Sequence, residues 1–207
     1  MSPTPFLRGR IHGLVLTALG LMLGMAGPAR ALTVAAPTFA HLVEASEQIA
    51  RVEVTGLSAR WDPTPTGGRI IHTYVQCRVL RLLKGPAADA VTLRVMGGQV
   101  GDRRIVIPDL PSFDRGASYV LFIAGNNRAF FPLVAAGYGL YRIQRDPAGV
   151  ERIIRANGSP LRTLDDTALP AADPRPRASA PAAPTDAMTV AAFETSILHA
   201  LHPVPAT

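Results

Sequence analysis

The sequence predicts a mainly β fold: a small antiparallel barrel, closed or nearly closed, with a short helix in front and an amphipathic helix behind. Three observations carry this reading. From His72 to Gly85, Val75, Cys77 and Val79 alternate with Gln76 and Arg78; beyond a turn at Gly85-Pro86, Val91, Leu93 and Val95 alternate with Thr92 and Arg94. That is the period of half-buried strands, and it makes this hairpin the expected centre of the fold. Turn residues at close spacing divide the middle of the chain into about seven short strands, the pattern of a small all-β closure. Helical spacing occurs only near the two ends of the expected mature chain.

The chain of 207 residues opens with Arg8 and Arg10, an apolar run from Ile11 to Ala26, and Pro28-Ala29-Arg30-Ala31. Positive, apolar and small-residue parts in that order make residues 1–31 a secretory signal peptide, with cleavage expected after Ala31. The run is interrupted by Gly20 and Gly24 and falls short of the ~20 apolar residues of a spanning helix. The expectation is a periplasmic or secreted protein beginning at Leu32, with no stable membrane insertion after cleavage.

Thr38 caps an expected short helix with Phe39, Leu42 and Val43 on one side, the spacing of a packed face. Ala50, Val52 and Val54 then alternate with Arg51, Glu53 and Thr55 in a strand expected to end near Trp61. Asp62–Gly68, DPTPTGG, reads as loop. Beyond the hairpin, the stretch from Gly97 to Ser118 is a long connection with one short strand over Arg103–Ile107. The apolar run Tyr119–Ala124 predicts a strand buried on both faces. Further strands are expected over Phe130–Val134, Leu140–Gln144 and Val150–Arg155. The barrel domain spans residues 38–164. The Pro/Ala-rich segment 165–187 is expected to be a flexible or extended linker. Residues 188–202 are expected to form a helix with Val190, Phe193, Ile197 and Leu201 on one stripe, docking back on the barrel, with docking onto a partner as the alternative.

Removal of residues 1–31 takes the formal charge from +6 to +3. The remaining arginines are scattered among acids, which is no footprint for a phosphate backbone, and no nucleic-acid partner is expected. Cys77 is the single cysteine, so the chain forms no internal disulfide and depends on a packed core. Its strand phase predicts a buried, inert thiol.

Few residues suggest chemistry. His72 and Cys77 are five apart on one strand, which places them on opposite faces. His199 and His202 lie three apart on the last helix without a third metal ligand at suitable spacing. Gly97, Gly98 and Gly101 lack the Gly-Lys-Ser/Thr of a phosphate loop and read as a bend at a barrel corner. Asp165 and Asp166 are adjacent at a linker edge and read as solvated. Asn157-Gly158-Ser159 matches a glycosylation acceptor, a short and common motif. No catalytic, cofactor-binding or metal-binding residue is assigned.

The order of features resembles the netrin-like domain, the OB-type barrel of the tissue metalloproteinase inhibitors, and similar exported bacterial proteins. The residues that carry the resemblance are Ile49 to Gly56 after a short helix, Leu83-Lys84-Gly85, the Val91-x-Leu93-x-Val95 strand, and Gly116 to Phe122. It implies an exported, non-catalytic barrel used for binding. Those inhibitors engage zinc through an N-terminal cysteine, whereas the expected mature chain here begins at Leu32. The function expected is an exported binding module acting through a protein partner in the cell envelope, with the Gly97–Ser118 loop as its contact surface. The alternatives are a hydrolytic enzyme whose site is assembled from distant loops and a protease-inhibitor-like protein.

Overall fold

The computed structural model describes residues 36–108, 110–168 and 182–202. Residues 1–31, expected from sequence to be a signal peptide, lie outside the described residues, as does the middle of the Pro/Ala-rich segment. No helix among the described residues is long and apolar enough to cross a membrane.

The described residues contain eight strands and two α-helices, in the order α1 (Phe39–Ala45), β1 (Gln48–Pro63), β2 (Arg69–Lys84), β3 (Ala90–Met96), β4 (Gly98–Val100), β5 (Arg103–Ile105), β6 (Ser118–Ile123), β7 (Leu140–Arg145), β8 (Glu151–Arg155) and α2 (Val190–Leu201). Six strands form one antiparallel sheet in the order β3-β2-β1-β6-β7-β8, and β4 pairs with β5 alone. The mainly β, antiparallel expectation holds. Among the described residues no ladder joins β3 to β8, so the sheet is not a hydrogen-bonded barrel. The β2–β3 hairpin also lies at one end of the sheet, and the centre belongs to β1 and β6. The outer edge of β3 is instead capped by a side chain. The Asn126 carboxamide accepts from the Arg94 N–H at 3.2 Å and donates to the Thr92 carbonyl at 2.8 Å, so those backbone groups present no bare edge.

β6 explains the sheet's depth. Tyr119, Leu121 and Ile123 enter one core with Ala50, Val52, Val54, Val75, Cys77 and Leu93. Val120 and Phe122 point the other way, into a second core with Leu42, Val43, Tyr141, Ile153, Phe193 and Ile197. A strand buried on both faces needs apolar residues at consecutive positions, as its sequence has. The second core lies beneath the two helices. Thr38 caps α1 by accepting from the His41 N–H, and Thr189 caps α2 by accepting from the Ala192 N–H, each at 3.2 Å.

Phe130–Val134 is no strand. Leu133 makes a single bridge to Ile123, while Phe131, Leu133 and Val134 are buried. Pro132 cannot donate to a ladder, and Ala135 and Ala136 take positive φ. Both described ends of the segment 165–187, expected to be a linker, are tied to the body of the fold. Leu164–Ala168 forms a 3-10 turn, Ala183 donates to the Arg145 carbonyl, and Met188 bonds both Leu161 and Ile153. Gly97 and Gly98 form the expected bend, with φ of 99° and 128°. At Gly98 a Cβ would lie 2.3 Å from Thr73 Oγ1, so β4 crosses close over the face of β1 and β2 where only glycine fits.

Candidate functional site

The β1–β2 hairpin outgrows the body of the sheet. β6 pairs with β1 only from Gln48 to Glu53, whereas β2 follows β1 to its end, where Pro63 faces Arg69. The distal half is therefore an arm, and its polar face carries a connected side-chain network. Three register shifts, two with the extra residue in β2 and the last with it in β1 between Val54 and Gly56, set the pairing, so that Ser58 faces Tyr74, Arg60 faces His72 and Asp62 faces Ile70. Alternation then brings Arg60, Asp62, His72 and Tyr74 to one face.

Asp62 is the hub. Its Oδ2 accepts the Tyr74 hydroxyl at 2.5 Å and its Oδ1 accepts Arg60 Nε at 3.2 Å. His72 Nδ1 lies 2.8 Å from the same Oδ2. That nitrogen is buried and off the line of a hydrogen bond, so the contact adds attraction without an aligned proton. The Arg60 guanidinium sits 3.9 Å from the centre of the Tyr74 ring, a cation–π contact. The Tyr74 hydrogen bond holds the Asp62 carboxyl below the ordinary carboxylate range, against the opposing effect of burial, and Arg60 and His72 act in the same sense as Tyr74. On the other side of the arm the Arg69 guanidinium lies 5.6 Å from the Trp61 ring.

An acid beside an imidazole is two-thirds of a hydrolytic triad, and the third part has to be a nucleophile within reach of the histidine. Cys77 does not supply it. Its side chain lies in the core with Val75 and Leu93, on the face opposite His72, and burial pushes the thiol up to about 12. Ser58, the hydroxyl on the histidine's own face, is in contact with Gln76 Nε2 at 3.5 Å. The carboxylate of Asp62 is meanwhile occupied by its three neighbours. The arrangement is suited to holding side chains still.

The remaining candidates are dispersed. His199 is exposed in the last turn of α2, and the His202 N–H caps that helix on the Leu198 and His199 carbonyls. Asp166 accepts the Arg162 and Thr163 N–H groups at 2.7 and 3.0 Å, which lower its carboxyl, while Asp165 points outward. Asn157 accepts the Ser159 N–H in a turn. Gly98, with its neighbour Gly97, bends the chain and Gly101 turns it between β4 and β5. No group of three or more His, Cys, Asp or Glu able to hold a metal occurs among the described residues. The Asp62 network was missed from sequence because DPTPTGG reads as loop. Counting back from the Thr64–Gly68 turn along both strands would have set Arg60 opposite His72.

No protein-family model matches the chain, and no curated protein matches it significantly.

Proposed function

We infer that the protein is an exported, non-catalytic binding module, acting in the periplasm or outside the cell through a protein partner of the envelope, with the β1–β2 arm and the adjoining Gly97–Ser118 connection as its contact surface. The observation that carries this reading is the state of Arg60. Its side chain is 67% exposed, yet it is held by Asp62 and laid on the Tyr74 ring. A solvent-facing guanidinium whose conformational freedom is already lost is what a binding surface needs to engage a partner at low entropic cost. Beside it, the connection presents Val106 at 66% exposure. The netrin-like resemblance supports the same class, and the signal segment supports export.

The test is capture from native envelope by the purified protein and by Arg60→Ala and Val106→Asp variants of unchanged melting temperature. A partner retained by the wild type and lost from the variants is the expected result. Equal capture by all three would move the contact surface elsewhere, and turnover in a broad hydrolase screen would replace the binder with an enzyme. Intact mass of the exported protein is expected to begin at Leu32.

A further inference from the structure

The arm has a second property that its polar face does not explain. Beyond Glu53, the side of β1 that faces away from β2 bonds only at Val54, to Ala117 and Gly116, and at Thr55, whose carbonyl accepts Arg115 Nε at 3.1 Å. From Leu57 to Pro63 that side meets no strand among the described residues.

Which groups point outward follows from the ladder. The Thr64 N–H bonds the Gly68 carbonyl, and the Gly97 N–H bonds the Ile71 carbonyl on the β3 side of β2. Hydrogen bonding alternates along an antiparallel pair. Ser58, Arg60 and Asp62 therefore direct their backbone groups at β2, and Leu57, Ala59 and Trp61 direct N–H and C=O to the open edge. Pro63 shares their phase, and its missing N–H falls on the open side, where it costs the β1–β2 ladder nothing. The edge is thus a short row of free donors and acceptors closed off at one end. Leu57 on it is 41% exposed.

We propose that this edge pairs with the same edge of a second copy of the chain, antiparallel about a two-fold axis through Ala59, joining the two sheets into one. The choice of occupant rests on self-complementarity, the requirement of a two-fold interface. With the axis at Ala59, Leu57 of each copy faces Trp61 of the other, and all the outward N–H groups of Leu57, Ala59 and Trp61 find carbonyls. Ser58 then faces Arg60 and Gly56 faces Asp62, so no like charges oppose. An axis at Arg60 would set two guanidinium groups against each other and place Pro63 opposite Leu57. An axis at Trp61 would place Pro63 opposite Ala59. Each of those leaves a carbonyl without a donor. This pairing is independent of what the polar face binds.

Sedimentation velocity of the purified protein from low micromolar to several hundred micromolar tests it. The expected result is a reversible monomer–dimer equilibrium that Leu57→Pro weakens at least about tenfold, since the substitution removes an outward donor from each copy. The melting temperature of dilute Leu57→Pro should match the wild type, because that N–H takes no part in the β1–β2 ladder. Should Leu57→Pro prove unstable, Ser58→Arg keeps every backbone donor, sits on an exposed site and should also weaken the dimer by setting a guanidinium against Arg60 of the other copy, twice about the axis. A wild type that stays monomeric throughout, or a dimer that persists unchanged in the folded variant, overturns the proposal.

Discussion

The rings of Tyr141 and Phe193 lie 4.9 Å apart between centroids, and through that contact the C-terminal helix covers the outer face of the sheet. Phe193 also meets Phe122 at 6.1 Å and Phe39 of α1 at 5.8 Å, so one side chain joins both helices to two strands. Docking on its own sheet is the outcome expected from the stripe Val190, Phe193, Ile197.

Truncating that side chain should be among the most damaging changes available. Phe193 is 0% exposed, and Phe→Ala in a closed core costs about 3–5 kcal/mol. In a chain of this length that lowers the melting temperature by about 10 °C. Deletion of residues 186–207 should destabilise at least as much. Thermal denaturation of both variants checks this, and an unaltered midpoint would mean that the helix does not dock in solution.

Cys77, 2% exposed, should react slowly with a thiol reagent until denaturant is added. Its thiol is raised by burial from 9.0 to about 12. For an acid raised in the folded state, stability is fully present below the unfolded value and falls as pH rises from about 9 toward 12, because only the unfolded chain releases the proton. Burial raises the Tyr119 and Tyr141 hydroxyls as well, so their contributions have the same sign. Cys77→Arg should abolish folding by placing an unpaired charge in the core. Fast labelling of the native protein would show that the strand faces the other way.

What the sequence disclosed was burial, and what it concealed was pairing. The run at β6 was legible because a strand covered on both sides needs no alternation. The helices were legible because Phe39, Leu42 and Val43, and again Val190, Phe193 and Ile197, recur at helical spacing, with Thr38 marking the first turn of α1. Phe130–Val134 misled for the same reason that β6 did not: its apolar residues are buried, but by loop packing, a distinction that hydrophobic pattern does not carry. The arm was hidden by Pro63, a turn residue in most settings and a harmless one on an open edge. Asp62 and His72 are ten positions apart, and only the hairpin register brings them together. Cys77, on the strand of His72, lies on the opposite face, and the partner of His72 lies across the turn.

Arg81 and Glu194 offer a test in which two variants of one ion pair should move stability in opposite directions. Glu194 Oε2 accepts Arg81 Nη1 at 2.5 Å, but Oε1 is buried without a partner, and the side chains are 53% and 4% exposed for Arg81 and Glu194. The arginine can return to water if released, while the carboxylate cannot. Arg81→Ala should therefore cost about 3 kcal/mol by leaving a buried charge alone. Glu194→Met, of similar volume, should raise stability by about 1 kcal/mol by removing that charge from the core. Denaturant titration of the two variants decides it, and a loss in both would mean that the pair is better solvated than the orphaned oxygen implies.

The Asp62 hub makes the last prediction, and its pH dependence identifies the interaction. Tyr74 donates its hydroxyl to the Asp62 carboxylate at 2.5 Å. A hydrogen bond to a charged group contributes about 1.5–3 kcal/mol, and Tyr74→Phe should cost about that much at neutral pH. Asp62 is depressed below its ordinary value of 3.8 first by that hydrogen bond, with Arg60 and His72 adding. A carboxyl lowered in the folded state contributes stability that is present above the unfolded value and lost as pH falls through the folded one. The gap between wild type and Tyr74→Phe should therefore be full above about pH 4 and narrow as the solution is acidified below 3.8. Asp62→Asn keeps an acceptor but no charge, so substituting Tyr74→Phe in that background should cost much less than in the wild type. Urea unfolding of the four proteins at neutral and acid pH gives the coupling directly. A Tyr74→Phe penalty that is the same at both pH values, or the same with Asn at position 62, would mean that the hydroxyl acts through packing and not through the carboxylate, and Arg60 would lose the support on which its place in the contact surface depends.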